Sequence, residues 1–187
     1  MDYDLSALKV LFRKIFPPKK CVYTIDSTND GKPDSILIRA FNVVAAFEIP
    51  KKIELGGFST NEFDIAKFDL SDYGKMYLDD KRIVIAKNEF DVYSLKDHFT
   101  IYINKEKYSI DDVIQGKIGG KTIALGDSIN ILIQIDEDSI EKFTIGKHKF
   151  KLESELIPTL EFEFELTEEN LNCKLDSVLD WKHMYKH

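Results

Sequence analysis

Residues 160–166 read Leu-Glu-Phe-Glu-Phe-Glu-Leu. Strict alternation over this length fixes the backbone. Leu160, Phe162, Phe164 and Leu166 share a face only if successive side chains point opposite ways, which is the geometry of a strand. Glu161, Glu163 and Glu165 then face solvent. A strand apolar on one face needs a second layer to cover it, so the chain is committed to packed sheet structure.

The other segments fit that commitment. Cys21–Ile25, Ile36–Phe41, Val43–Ile49, Phe99–Ile103 and Lys121–Leu125 read as strands, and Asn42 as a tight hinge between the second and third of them. Residues 21–49 form a meander with a turn at Asp30-Gly31. Leu5–Phe16 is the clearest helix, with Leu5, Leu8, Leu11, Phe12, Ile15 and Phe16 on one side and Lys9, Arg13 and Lys14 on another. Pro17-Pro18 stops it. A short helix over Tyr108–Ile118 is expected with Ser109 as its cap, and another near Ser139 capped by the acidic run Asp136–Asp138. Pro158 belongs at an edge or in a loop. Asn172–His187 reads as a last strand with a partly helical end, on which Trp181, Met184 and Tyr185 are apolar enough to dock.

Phe63–Tyr93 reads as strand, short helix, strand, strand. Phe63, Ile65 and Phe68 lie in the first strand. Ser71 caps the helix, Asp72 favours its dipole, and Leu70, Tyr73, Met76 and Tyr77 fall at helical spacing. Residues 131–166 repeat that pattern. With Leu70 set against Ile135, Tyr73 meets Ile140, Lys75 meets Lys142, Met76 meets Phe143, and Ile83–Ile85 meets Phe150–Leu152. The expectation is an α+β, strand-rich protein of two tandem units of antiparallel sheet with short basic-faced helices, residues 1–103 and 104–187.

Charge and composition narrow the function. The formal net charge is −7, which opposes nucleic-acid binding over the whole surface but leaves room for a local basic face. No apolar run reaches membrane-spanning length, and the first residues lack a small-residue cleavage site, so neither a membrane partner nor a cleaved leader is expected. Cys21 and Cys173 make no metal spacing with the four histidines and read as free thiols, or as one disulfide. Asp26, Thr28, Asp30, Gly31 and Asp34 fit the opening of a calcium loop, but Leu37 stands where a bidentate Glu belongs; the other reading is a polar hairpin turn. No phosphate loop, G-x-S-x-G or H-E-x-x-H is present. The chain reads as non-enzymatic, without a catalytic residue, cofactor or metal.

The order of elements resembles the DNA sliding clamps of the PCNA and T4-phage type. LSALKVLFRKIF is similar to that family's opening basic-faced helix. KFDLSDYGKMYLDDKRIVIAKNEFDVYSL is similar to its segment of strand, short helix and hairpin. The resemblance implies a non-enzymatic polymerase processivity factor that encircles or tethers to double-stranded DNA without reading its sequence. DNA polymerase and a clamp loader would be its partners, and it would form a homo-oligomer. The small size of the chain and its divergence from that family point to a viral protein, cytoplasmic, at work in the host cytoplasm or nucleoid. Carried over by position, the DNA-facing residues are Lys9, Arg13 and Lys14 on the first helix, Lys75 on the second, and Lys142 and Lys147 in the second copy. Residues 104–128 leave the second unit short of a full helix and meander, a departure from a standard ring. The competing reading is a non-enzymatic β-rich binding or virion structural module, and a third is a calcium-stabilised extracellular module.

Overall fold

The computed structural model describes residues 5–50, 54–55, 58–59, 74–86, 98–154 and 159–180. The strand expected at Phe63–Phe68, the cap at Ser71, the run Glu89–Leu95 and the tail residues Trp181, Met184 and Tyr185 lie outside them.

Helix α1 (Leu5–Ile15) leads to β1 (Val22–Asp26) and β2 (Ser35–Phe41). Four short strands or hairpin arms follow: β3 (Phe47–Glu48), β4 (Glu54–Leu55), β5 (Phe58–Ser59) and β6 (Gly74–Leu78). Next come β7 (Lys81–Ile83), β8 (Phe99–Ile103), β9 (Glu106–Ser109), α2 (Ile110–Ile114) and β10 (Thr122–Ile123). The chain ends with β11 (Ser128–Gln134), α3 (Glu137–Ile140), β12 (Gly146–Ser154), β13 (Leu160–Leu166), β14 (Cys173–Lys174) and α4 (Leu175–Leu179). The protein is strand-rich α+β with mainly antiparallel pairing.

Two sheets carry the architecture. The larger runs β14-β1-β2-β11-β8-β9, with β14 parallel to β1 and the remaining pairs antiparallel. The smaller runs β13-β12-β6-β7, antiparallel throughout. Their facing sides make one core. The larger sheet supplies Val22, Ile36, Ile38 and Ile133, and the smaller Met76, Leu78, Ile83, Phe150, Phe162, Phe164 and Leu166. Leu160 packs against this core, so the expected apolar face of LEFEFEL is the buried one. Phe16, just past α1, stacks on Phe162 with ring centroids 4.5 Å apart, which seats the helix beside edge strand β13.

The other side of the larger sheet is also covered. Tyr23, Ile25, Leu37, Tyr102 and Leu132 pack with Val178 and Leu179 of α4. With both faces buried, β2 needs apolar residues at successive positions, and Ile36, Leu37 and Ile38 supply them. A smaller cluster of Ile49, Ile103, Ile118 and Ile123 closes the end near β10.

Four expectations are corrected. The short helix through Met76 and Tyr77 is instead strand β6 where it is described. Asp79 and Asp80 take φ of 50° and 63° and make a two-residue turn between Leu78 and Lys81. That turn type matches the twist of a hairpin, so Met76 and Leu78 point inward and Lys75 and Tyr77 outward. The pattern repeat fails at the same point, because Lys75 and Met76 lie in a strand whereas their counterparts Lys142 and Phe143 follow α3 outside any strand. The boundary at 103/104 does not separate sheets. β11 lies between β2 and β8, so the larger sheet interleaves strands from either side of it, and β12 pairs with β6, so the smaller sheet joins a pair from each side. Finally, the strand expected over Val43–Ile49 is reduced to Phe47–Glu48. The Asn42 side chain binds the carbonyls of Ala45, Ile123 and Ala124 at 2.7–3.1 Å and folds the intervening loop around itself.

The β1–β2 connection is the polar hairpin turn. Asp26 accepts from the backbone N–H of Asp30 and Gly31 at 3.1 and 2.9 Å. Asp34 accepts from the hydroxyls of Ser27 and Ser35 at 2.7 and 2.6 Å. These carboxylates are turned onto their own loop, and no cluster of three metal-binding side chains occurs among the described residues.

Cys21 and Cys173 are free thiols. Burial pushes the Cys21 thiol up to about 12, and the same cause raises Cys173 from its ordinary value. Only the thiolate attacks an alkylating reagent. In the native protein at pH 8, Cys21 is expected to stay unmodified by iodoacetamide over times that fully label it in urea. Mass spectrometry of the two samples checks this, and rapid native labelling of Cys21 would contradict its burial.

Candidate functional site

The outer face of the smaller sheet is the most patterned surface among the described residues. Alternation sends Phe150 and Leu152 inward, so Lys147, Lys149, Lys151 and Glu153 of β12 point out. On β13 the outward residues are Glu161, Glu163 and Glu165. The register sets Lys147 opposite Glu165, Lys149 opposite Glu163, and Lys151 opposite Glu161. On the other side of β12, Lys75 stands opposite Glu153 and Tyr77 opposite Lys151, while Arg82 of β7 stands opposite Tyr77. The face is therefore a column of lysines beside a column of glutamates, with a mixed third column.

Several of these charges pair. Lys149 Nζ lies 2.9 Å from Glu161, and Lys151 Nζ lies 2.5 Å from Glu153 and 5.7 Å from the centre of the Tyr77 ring. Hydrogen bonds to Glu161 and Glu153 hold the two ammonium groups above their ordinary pKa. Lys151 in turn holds Glu153 below the usual carboxylate value. From the flank, Arg13 approaches Glu163 at 3.8 Å and Lys19 approaches Glu165 at 3.7 Å. The Glu165 N–H donates to the carbonyl of Pro18 at 2.8 Å, which ties the post-helix segment to this edge.

The sequence-predicted site residues divide accordingly. Lys75 and Lys147 lie on this face and Arg13 at its edge. Lys14 is exposed on α1, and Lys9 occupies a backbone position of that helix. Lys142 follows α3 and donates to the carbonyl of Arg82 at 2.9 Å, at the far edge of the same sheet. Lys75 and Lys147 thus project from strands, not from helices as the resemblance implies. Lys149, Lys151 and Arg82 were missed. The signal for Lys149 and Lys151 was present as Lys at every second position of Lys147-His148-Lys149-Phe150-Lys151, the same period as LEFEFEL.

Of the four histidines, His98 and His148 are among the described residues. His148 meets Asp79 through Nδ1 and the carbonyl of Thr144 through Nε2, both at 2.7 Å, so each ring nitrogen is already engaged. His98 is buried and meets Gln134 at 3.0 Å. No helix among the described residues is long and apolar enough to cross a membrane. Compared with known proteins, the chain matches no family model and no curated protein sequence.

Proposed function

We propose that the chain is a non-enzymatic interaction module whose working surface is the outer face of the smaller sheet. One observation carries the reading: the fold gathers Lys75, Arg82, Lys147, Lys149 and Lys151, scattered in sequence, onto one face and interleaves them with Glu153, Glu161, Glu163 and Glu165. Five cations against four carboxylates make this face locally balanced in a protein of net charge −7. Such a face complements another charge-patterned protein surface. A phosphate backbone would satisfy the lysines and be repelled by the glutamates.

A second reading, a DNA tether in the manner of a polymerase processivity factor, draws on the placement of Arg13, Lys75 and Lys147 on or beside one face. Salt separates the two. A tether that neutralises several phosphates loses DNA affinity with a slope of about −0.9 in log K per log salt for each of them. We expect retention on duplex DNA to be absent at physiological ionic strength and unchanged by Lys147→Glu. Steep salt-dependent retention that Lys75→Glu and Lys147→Glu remove would overturn the interaction-module reading in favour of the tether.

A further inference from the structure

We infer that the partner of this face is a second copy of the same chain, held in a closed two-fold pair; the inference rests on the interaction-module reading above. The argument is one of symmetry. Lys147, Lys149 and Lys151 form a column on β12, and Glu165, Glu163 and Glu161 form a column at the same heights on β13. Adjacent strands are about 4.8 Å apart. A two-fold axis parallel to the strands and midway between these two keeps every height and exchanges the columns. Lys147 of one copy then faces Glu165 of the other, Lys149 faces Glu163, Lys151 faces Glu161, and each contact occurs twice. An in-plane axis perpendicular to the strands stacks lysine over lysine and is excluded by repulsion. The surface is self-complementary in one orientation, as an isologous interface requires.

The charges are available for this exchange. Glu163 is 77% exposed on its side chain and its contact to Arg13 is long, at 3.8 Å. Exposed pairs of this kind contribute little, so replacing them across an interface costs little. Inward-facing Phe150, Phe162 and Phe164 keep the two strands flat against their own core, so the columns are held by the sheet and not by mobile loops. Seven registered residue pairs span roughly 20–25 Å along two strands, a patch well below the roughly 800 Å² per partner of a stable complex. The pair is therefore weak and dependent on salt. Unlike a ring made from successive sheet edges, it closes at two copies.

Sedimentation equilibrium of the full chain tests the inference. At protein concentrations on the order of 100 µM, in the weak-affinity range, the mass should rise towards twice the chain mass at about 0.05 M salt. It should return to the monomer at about 1 M, where the screening length is ~3 Å. The double variant Lys149→Glu/Lys151→Glu and the double variant Glu161→Lys/Glu163→Lys should each be monomeric, and an equimolar mixture of them should associate again. Circular dichroism establishes that each is folded, and the milder Lys149→Ala should weaken association several-fold if a double variant does not fold. Rescue in the mixture is a result that a structural role of these residues cannot produce. A wild-type monomer at low salt, or a mixture that stays monomeric, overturns the self-pairing. If that monomer still binds DNA through the lysine column, the inference and the interaction-module reading both fall. If it instead captures a charge-patterned protein through this face, only the inference falls.

Discussion

Replacing Arg39 by alanine is expected to cost about 3–5 kcal/mol, a large share of the 5–15 kcal/mol that holds a typical domain together. Arg39 is 1% exposed on the α4 side of the larger sheet. Its Nε donates to Asn130 Oδ1 at 2.7 Å and its Nη2 to the carbonyl of Val178 at 2.5 Å. The guanidinium also lies over Tyr23, 5.1 Å from the ring centre. Val178 sits in the last turn of α4, where carbonyls lack intrahelical partners and the helix dipole favours a cation. One planar side chain therefore satisfies a buried asparagine in β11 and a buried carbonyl in the last turn of a helix at once. Alanine leaves both acceptors buried and unpaired, at about 1–3 kcal/mol each, and a cavity beside them.

The comparison with other substitutions separates causes. Lysine keeps the charge but cannot aim two donors at acceptors on different elements, so Arg39→Lys should lose most of the same stability. Methionine fills the space and removes the charge, so Arg39→Met should cost less than alanine. Urea unfolding monitored by circular dichroism gives the three values. Hydrogen exchange on Arg39→Met should show α4 and edge strand β14 released before the other strands of the larger sheet. Equal stability of Arg39→Ala and the natural protein would mean that α4 is not pinned by this residue.

What was legible in the sequence followed from period and from capping. LEFEFEL appears as β13 at residues 160–166, and FTIYI as β8 at 99–103. Ser109 caps α2 through its hydroxyl and Asp112, and Asp136 caps α3. These are local effects, settled by side chains within a few residues. The failures were of the other kind. Helical spacing of Met76 and Tyr77 was overridden by the Asp79-Asp80 turn and by pairing with β12, more than 70 residues on. The interleaving of β11 between β2 and β8 has no local signature at all, because neighbours in a sheet are chosen by how apolar faces stack. The candidate surface lies between these cases. Each column of charge was visible as a period of two, but their juxtaposition depends on the β12–β13 register. Arg39 was hidden for a related reason: within ILIRAF it looks like an outward strand residue until α4 is known to cover that side.

The same register yields a second large effect. Phe150→Ala is expected to cost about 3–5 kcal/mol, the usual range for emptying a buried phenylalanine site. Phe150 is 1% exposed, pairs with Leu78 on one side and Phe162 on the other, and its ring lies 5.3 Å from that of Phe162. Phe162 in turn stacks on Phe16, so the cavity would open against an aromatic contact that seats α1. The neighbours along the strand supply the control. Lys149 and Lys151 point the other way, and alanine at either should change stability by no more than about 0.5 kcal/mol. Side chains alternate with a period of two, so a slip of one residue in β12 would exchange these roles. Unfolding midpoints for the three alanine variants therefore test the register directly. A large loss at Phe150 with near-neutral flanks places the lysine column on the outside, where both the proposed working surface and its two-fold pairing require it. A large loss at Lys149 or Lys151 would place that column in the core and remove the surface altogether.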